Sequence, residues 1–312
     1  MLIIGTVPPP IGGVSIHLER LIFSLKENGI SYKFIDYRKM PLKAFYYFFI
    51  ERCVHTNFSN KVLRFIAALI GYLFGKKVII TYHGKYDFTN FLDKYSLKLS
   101  FKSFVLNNYS YSHAVKVQND RKVTLISAFI PPNNIKVDVN LRLDIEFTNF
   151  CRQYNYIFCT NSHSYVVDKF GRDIYGIDTI ITAIKDFKEA GLIISDPSGK
   201  LHKIYSNSLP NVFFISYPHS FIEIIQKSNC VIRATTTDGD SLTIKEALYY
   251  KKLIIASDCV DRVDGVLLFN TGNVESLKNK MAIAITGTNL FKYVDLQDGS
   301  LSLISFYKSL IK

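Results

Sequence analysis

Apolar and polar residues fall in short blocks along this chain, and the blocks switch between a period of two and a period near three and a half. Short apolar runs bounded by Gly, Pro, Asn or Ser read as buried strands, and longer stretches with apolar positions three or four apart read as helices. Leu2 to Ile4 predicts a first strand, followed by a Pro- and Gly-rich loop, Thr6 to Val14, and a helix from about Ser15 to Glu27 that ends near Gly29. Ser31 to Asp36 predicts a second strand, and a third lies near Val54 after the aromatic run Phe45 to Ile50. Leu63 to Phe74 predicts a packed amphipathic helix, and Lys77 to Tyr82 a buried strand that ends at His83-Gly84. Leu97 to Tyr109 has helical spacing, Ala114 to Val117 reads as a short strand, and Ser127 to Pro132 precedes a linker over residues 133 to about 152.

The second half repeats the alternation. Tyr156 to Thr160 predicts a strand, Asn161 to Tyr175 a loop, and Thr179 to Glu189 a helix entered through Gly176-Ile177-Asp178. Strands follow at Gly191 to Asp196, Val212 to Ser216, Cys230 to Ile232 and Leu253 to Ala256, with a helix over Leu242 to Tyr250 and a partly helical end over Phe291 to Leu310. Strands in steady alternation with helices predict α/β architecture with doubly wound parallel sheets. A chain of 312 residues is long enough for two such domains. We place them at residues 1–150 and 151–295, with a terminal segment, 296–312, that crosses back to the first domain.

Composition narrows the class. Apolar residues make up 48% of the chain, with no low-complexity tract or solenoid-period repeat, so the protein reads as globular. The start, Met1-Leu2-Ile3-Ile4-Gly5, does not have the form of a signal peptide. Leu63 to Phe74 is interrupted by Arg64 and falls well short of the roughly twenty residues needed to cross a bilayer. The five cysteines, at 53, 151, 159, 230 and 259, form no CxxC, which fits neither a zinc site nor a disulfide framework and predicts a cytoplasmic protein. Charge is lopsided: residues 1–150 hold 20 Lys+Arg against 10 Asp+Glu, and residues 151–312 hold 18 against 16. A basic first half suits an anionic partner or a merely solvated surface. The anionic partners considered are nucleic acid, an anionic leaflet and a diphosphate-bearing acceptor.

The densest chemistry lies between Thr235 and Asp258, TTTDGDSLTIKEALYYKKLIIASD. It reads as strand end, turn, helix and next strand, with Gly239, Asp240 and Ser241 as turn and helix cap. In a βαβ unit that loop lies at the carboxyl edge of the sheet, and the exposed amides of the helix start favour anionic and hydroxyl groups. Asp238 and Glu246 are separated by seven residues. Earlier in the chain, Gly12 and Gly13 precede a helix that carries His17 one turn on, and His83 stands at a strand's carboxyl end with Gly84 allowing a sharp exit. No GxGxxG and no P-loop is present, which argues against an NAD enzyme or a P-loop ATPase.

The acid, seven residues, acid pattern Asp238 to Glu246, followed by Ala247 and Leu248, resembles the signature of the family-four retaining glycosyltransferases of the GT-B fold. That family usually has two glutamates here, so Asp238 is a departure. The resemblance implies two Rossmann-like domains facing a cleft and sugar transfer from a nucleotide donor of UDP or GDP type to a glycan or polyprenyl-diphosphate-linked acceptor. It implies retention and neither metal nor other cofactor. Glu246 would bond the ribose hydroxyls, Asp238 and the amides of Gly239 to Leu242 would hold the donor's sugar, and His83 and the Gly12-Gly13 pair would line the other wall. The family usually has an Arg soon after the strand at Tyr156 and a Lys before the Gly-Ile-Asp, both on the donor diphosphate, but here Tyr175 stands before Gly176-Ile177-Asp178. The lysine's task would pass to Arg172, or to Lys169 or Lys245. The implied setting is surface-polysaccharide assembly at the inner face of a membrane. Lys39, Lys43, Arg52, Lys61 and Arg64, flanking the aromatic run Phe45 to Phe49, suit contact with an anionic membrane surface or a diphosphate-linked acceptor, and the competing reading is that Phe45 to Ile50 packs in the core.

Other readings compete. A loop acid and a helical Glu also describe a helix cap and a surface charge. Gly239-Asp240-Ser241-Leu242 spells the motif of GDSL esterases, which need a base His downstream, whereas the last His is His219. Asp238-Gly239-Asp240 spells a metal-binding DxD, set here before a helix start. An epimerase or phosphorylase would use the same fold, as would a non-catalytic partner subunit. Nucleic-acid binding has only lysine content behind it, without an RRM, KH or zinc-knuckle pattern, and we expect none.

Overall fold

The structure, a computed structural model, describes residues 1–9, 12–132, 145–162, 164–205 and 209–311. It divides into two units, 1–133 with 297–312 and 134–296.

The first unit is built on β1 (Leu2–Gly5), β2 (Lys33–Asp36), β3 (Cys53–Thr56), β4 (Lys77–Tyr82), β5 (Lys102–Val105) and β6 (Val123–Leu125). They form one parallel sheet in the order β2-β1-β3-β4-β5-β6. Its helices are α1 (Gly13–Glu27), α2 (Pro41–Ile50), α3 (Lys61–Leu73), α4 (Phe91–Leu99) and α5 (Asn108–Val117). Strands buried on both faces read as continuous apolar runs, and β4, KVIITY, is buried from its second residue on. The C-terminal helix, Gly299–Ile311, buries Leu303, Ile304 and Tyr307 in the cluster formed by Ile3, Leu18 and Phe104. Gly299 lets it start there: a Cβ on this residue would lie 2.0 Å from the Ser127 carbonyl oxygen.

The second unit carries α6 (Ile145–Gln153), β7 (Tyr156–Asn161), α7 (Ile177–Ile184), β8 (Ala190–Ser195), α8 (Lys200–Ile204), β9 (Val212–Ile215), α9 (Phe221–Lys227), β10 (Cys230–Arg233), α10 (Leu242–Tyr249), β11 (Leu253–Ser257), β12 (Leu267–Phe269) and α11 (Val274–Thr286). Its parallel sheet runs β12-β11-β10-β7-β8-β9. In each sheet the strand order reverses once, between β1 and β3 in the first and between β7 and β10 in the second. Open α/β sheets bind ligands at the carboxyl edge beside that reversal.

The expected α/β class with two doubly wound parallel sheets is the observed one, but several local readings are corrected. Leu97 to Tyr109 is not one helix: α4 ends at Leu99, β5 follows, and α5 begins at Asn108. Ala114 to Val117 is the last turn of α5 rather than a strand. The Asn107 side chain caps that helix by accepting from the Ser110 amide at 2.8 Å, and the helix buries Ala114, so a four-residue, mostly apolar run did not decide the outcome. The predicted helix Thr179–Glu189 is shorter and earlier, ending at Ile184. Part of the expected linker forms α6, which buries Phe147 and Phe150 one turn apart, both against Phe213. The remainder, 133–144, lies outside the described residues.

Candidate functional site

In the second unit β10 ends at Arg233, and the chain turns through Ala234–Ser241 into α10. Asp238 is the hub of this turn. Arg233 grips it with two hydrogen bonds, Nε to Oδ2 and Nη2 to Oδ1, both 3.1 Å, and Arg262 adds Nη1 to Oδ2 at 2.8 Å. Thr235 donates its hydroxyl to the same carboxylate at 3.3 Å, and the Gly239 amide does so at 3.0 Å. Burial alone would raise the Asp238 carboxyl, but the two arginines outweigh it and hold the group below the usual carboxylate range. Both arginine side chains are themselves largely buried, Arg262 to 3% exposure.

Tyr175, at the position before Gly176, packs under this network: the Arg233 guanidinium carbon lies 5.7 Å from its ring centroid. Gly176 makes that approach possible, with a φ of +66° and with space for a Cβ only 2.1 Å from the Ala234 carbonyl oxygen. Arg233 and Arg262 were not among the residues singled out in the sequence. The only signal was an arginine at the end of an otherwise apolar strand, Cys230–Arg233.

Asp240 is ion-paired with Lys245 of α10. Ser241 occupies the N-cap position of α10 but its side chain makes no capping bond, contrary to expectation. Its hydroxyl is buried and has no partner among the described residues, and a buried orphan of this kind calls for an explanation. Glu246 is 5% exposed, so it is not a surface charge. Thr243, one turn before it, donates to Asn161 Oδ1 at the end of β7 at 3.3 Å, which ties α10 to the reversal point of the sheet. Asp238, Gly239, Asp240, Ser241, Leu242 and Glu246 therefore share one loop-and-helix unit there.

Arg172 and Lys169 stand apart on an exposed turn. Arg172 is paired with Asp168 at 2.7 Å, and both cations lie over the Phe170 ring. Among the described residues no group of three or more His, Cys, Asp or Glu side chains suits a metal ion. Both carboxylates of the DxD triplet are committed to cations of the chain.

In the first unit α1 begins at Gly13, after Gly12 in an extended conformation, and Ser15 Oγ closes the turn by accepting from the Gly12 amide at 3.1 Å. A Cβ at Gly13 would meet nothing within 4 Å, so the packing of the described residues does not require glycine there. His83 follows β4 and lies 2.9 Å, through Nε2, from Asn57 Oδ1. Its ring meets His17 edge-on with centroids 5.0 Å apart. Burial first, then His17, His55 and Arg64, hold His83 neutral, well below the usual histidine range. Arg64, expected at the surface, is 1% exposed: it is paired with Asp93 at 2.8 Å and packed against the Tyr82 and Tyr86 rings.

No family model matches the chain, and no curated protein matches it. Solved structures do match in fold. Anabaena Alr3699/HepE in complex with UDP-glucose aligns with a TM-score of 0.69 at 11% identity, over 99% of this chain and 98% of that one. Sucrose-phosphate synthase from Thermosynechococcus elongatus aligns at 0.67 and 14% identity over 99% and 98%. A glycosyltransferase from Rickettsia africae aligns at 0.65 and 15% identity over 100% and 98%. These neighbours are GT-B glycosyltransferases, and the α/β fold of this chain is theirs.

Proposed function

We propose that the protein is a glycosyltransferase that moves a sugar from a nucleotide-sugar donor, of UDP or GDP type, to a glycan or polyprenyl-diphosphate-linked acceptor, with retention and without a metal. The observation that carries this reading is the uncapped start of α10, with the buried Ser241 hydroxyl unpartnered among the described residues, in the same β10–α10 unit as Arg233 and Glu246 at the reversal point of the second sheet. Helix-start amides and cations beside a buried carboxylate suit a diphosphate next to a ribose. The binding of UDP-glucose by a protein of the same fold, Anabaena HepE, supports it.

In this reading Glu246 accepts hydrogen bonds from the ribose hydroxyls, and the Gly239–Leu242 backbone faces the sugar. Arg233 over Tyr175, together with Arg262, supplies the charge that the family's lysine would give, and Asp238 holds the two in place. Arg172 and Lys169 then serve their turn. As the bond from the anomeric carbon to the diphosphate breaks, its electron pair goes to the phosphate oxygen that the arginines face. The acceptor hydroxyl oxygen forms the new bond to the anomeric carbon and passes its proton to the departing diphosphate oxygen. His83 and the Gly12-Gly13 backbone are the first domain's candidate residues.

The acceptor side fits a membrane setting. On α2, Ala44 and Phe48 are buried, while Phe45 is 64% exposed and Tyr46, Phe49 and Ile50 are exposed with it. Phe49 stacks edge-on with Phe74 at the end of α3, which is 63% exposed, and the exposed Lys39, Lys43, Arg52 and Lys61 flank the patch. Rings beside cations suit an anionic bilayer interface. No helix of the described residues is long and apolar enough to cross a membrane. We place the enzyme at the cytoplasmic face, in surface-polysaccharide assembly.

The test is transfer in excess EDTA with a panel of UDP- and GDP-sugars, read by product NMR. An acceptor-dependent product of unchanged anomeric configuration supports the reading. A changed sugar nucleotide without acceptor would mean an epimerase, phosphate-dependent cleavage a phosphorylase, and donor binding without turnover a partner subunit.

A further inference from the structure

At the amino edge of the first sheet, opposite the edge where His83 and the start of α1 lie, the strands are entered through cations: Arg52 before β3, Lys76 and Lys77 at β4, Lys102 at β5, and Arg121 and Lys122 before β6. The register sets them side by side, with Cys53 against Lys77 and Ser103 against Val123. The acids that adjoin them in the chain are Glu51 and Asp120, and Glu51 is paired with the Met1 amine and Lys33 at 3.6 and 3.8 Å. Helices α2 to α5 end on the same edge, and their carbonyl ends, at about half a negative charge each, balance part of this row but not all of it.

Apolar side chains stand exposed among the cations. Tyr72, Leu73 and Phe74, at the end of α3, are 66%, 68% and 63% exposed, and the Lys77 ammonium lies 5.3 Å from the centroid of the Phe101 ring. Between the ends of α3 and α4 and the entry to β6 is a cavity of about 190 Å³, whose lining includes Tyr72, Lys76, Ser100, Phe101 and Lys122. Lys76 is held at its rim by donating to the Phe49 and Glu51 carbonyls at the end of α2, at 2.6 and 3.1 Å. Pockets that enclose a drug-sized ligand measure roughly 300 to 1,000 Å³, so this one suits a smaller, headgroup-sized fragment.

We propose that this cavity binds the phosphate of an anionic glycerophospholipid headgroup, with Lys76 and Lys122 against the phosphate and the Tyr72, Leu73 and Phe74 side chains in the bilayer interface. Lysine binds phosphate as a point charge, and here two separate elements supply one each. An exposed leucine between two rings suits a lipid interface, whereas RNA would use the rings for stacking and has no partner for the leucine. This site rests on the reading that the first unit meets an anionic bilayer, and adds the lipid group that it takes.

The chain has no tryptophan, so Tyr72→Trp places a single reporter at the cavity of the full-length protein. Its emission is expected to move saturably to shorter wavelength with vesicles of phosphatidylcholine mixed with phosphatidylglycerol, and to stay put with phosphatidylcholine alone, inorganic phosphate or single-stranded RNA. In that background Lys76→Gln and Lys122→Gln should each raise the lipid concentration at half saturation about fivefold, the usual effect of one cation at an anionic surface, whereas Lys98→Gln, on α4 outside the cavity lining, should change it by less than about twofold. Lys122 is exposed, so its variant decides if Lys76→Gln does not fold. An equal loss in Lys98→Gln, or none in Lys122→Gln, with vesicle binding intact, would overturn the cavity and leave the bilayer contact standing. No binding to anionic vesicles would overturn both. A saturable shift with inorganic phosphate or with RNA would assign the cavity to a free anion or to nucleic acid and overturn the lipid site equally.

Discussion

Replacing Asp238 with Asn removes one charge and almost no volume, and it leaves two arginines without their counter-ion. The Asp238 carboxylate receives three guanidinium hydrogen bonds, at 3.1, 3.1 and 2.8 Å. The Arg233 and Arg262 side chains are only 14% and 3% exposed, so water cannot take over the lost role. Breaking a buried ion pair by removing one partner costs about 3 to 5 kcal/mol. For a unit of this size each kcal/mol moves the midpoint by about 2 to 4 °C, which puts the expected fall of the second unit's Tm at roughly 10 °C. Scanning calorimetry of Asp238→Asn checks this. Saturating UDP or GDP, whichever the wild type binds, should restore more of Tm in the variant than in the wild type, because the diphosphate replaces the missing charge. A Tm within about 2 °C of wild type would refute the idea that Asp238 holds the arginines. A nucleotide effect no larger than in the wild type would refute their part in diphosphate binding.

Three further outcomes follow from the same geometry. Arg233→Ala and Arg262→Ala should each weaken binding of a nucleoside diphosphate more than that of the nucleoside, with calorimetry as the readout, and equal losses would make them purely structural. Burial holds His17 at about 4 against 6.5 in the unfolded chain. The unfolded state therefore takes up the extra proton between those values, and stability is complete above pH 6.5 and falls by about 3 kcal/mol as pH drops through 4. Urea unfolding along a pH series should show that fall, reduced in His17→Gln, and a flat profile would contradict it. Binding to liposomes should require anionic lipid, weaken with salt and weaken again when Lys39, Lys43 and Lys61 become Glu, and equal sedimentation with neutral vesicles would leave the α2 face as an ordinary surface.

The sheet framework was legible because its central strands are apolar on both faces: KVIITY of β4 and the LIIAS of β11 admit few other readings. So was the turn into α10, since Gly, Asp and Ser before helical spacing constrain the local chain. β5 was not, because Lys102-Ser103-Phe104-Val105 is short and half polar, and only its place between β4 and β6 makes it a strand. The aromatic run of α2 left open whether it packs or faces solvent, and the helix does both, on opposite sides. The site's charge network was hidden for a different reason. Asp238 and Arg262 are far apart in sequence and meet only once β10 and β11 lie side by side. Arg64 shows the converse: a cation in an apolar helix, taken for a surface charge, is buried on Asp93 of α4.

The central claim is that the loop and helix from Asp238 to Glu246 bind the nucleoside diphosphate of a sugar donor. Titration calorimetry of UDP and GDP into the wild-type protein and into Glu246→Ala, with folding of the variant confirmed by its unfolding transition, tests it most directly. Binding of one nucleotide by the wild type should weaken at least tenfold in Glu246→Ala, since hydrogen bonds to a charged group contribute about 1.5 to 3 kcal/mol. Equal affinity in the two proteins, or binding of neither nucleotide by the wild type, would contradict the claim.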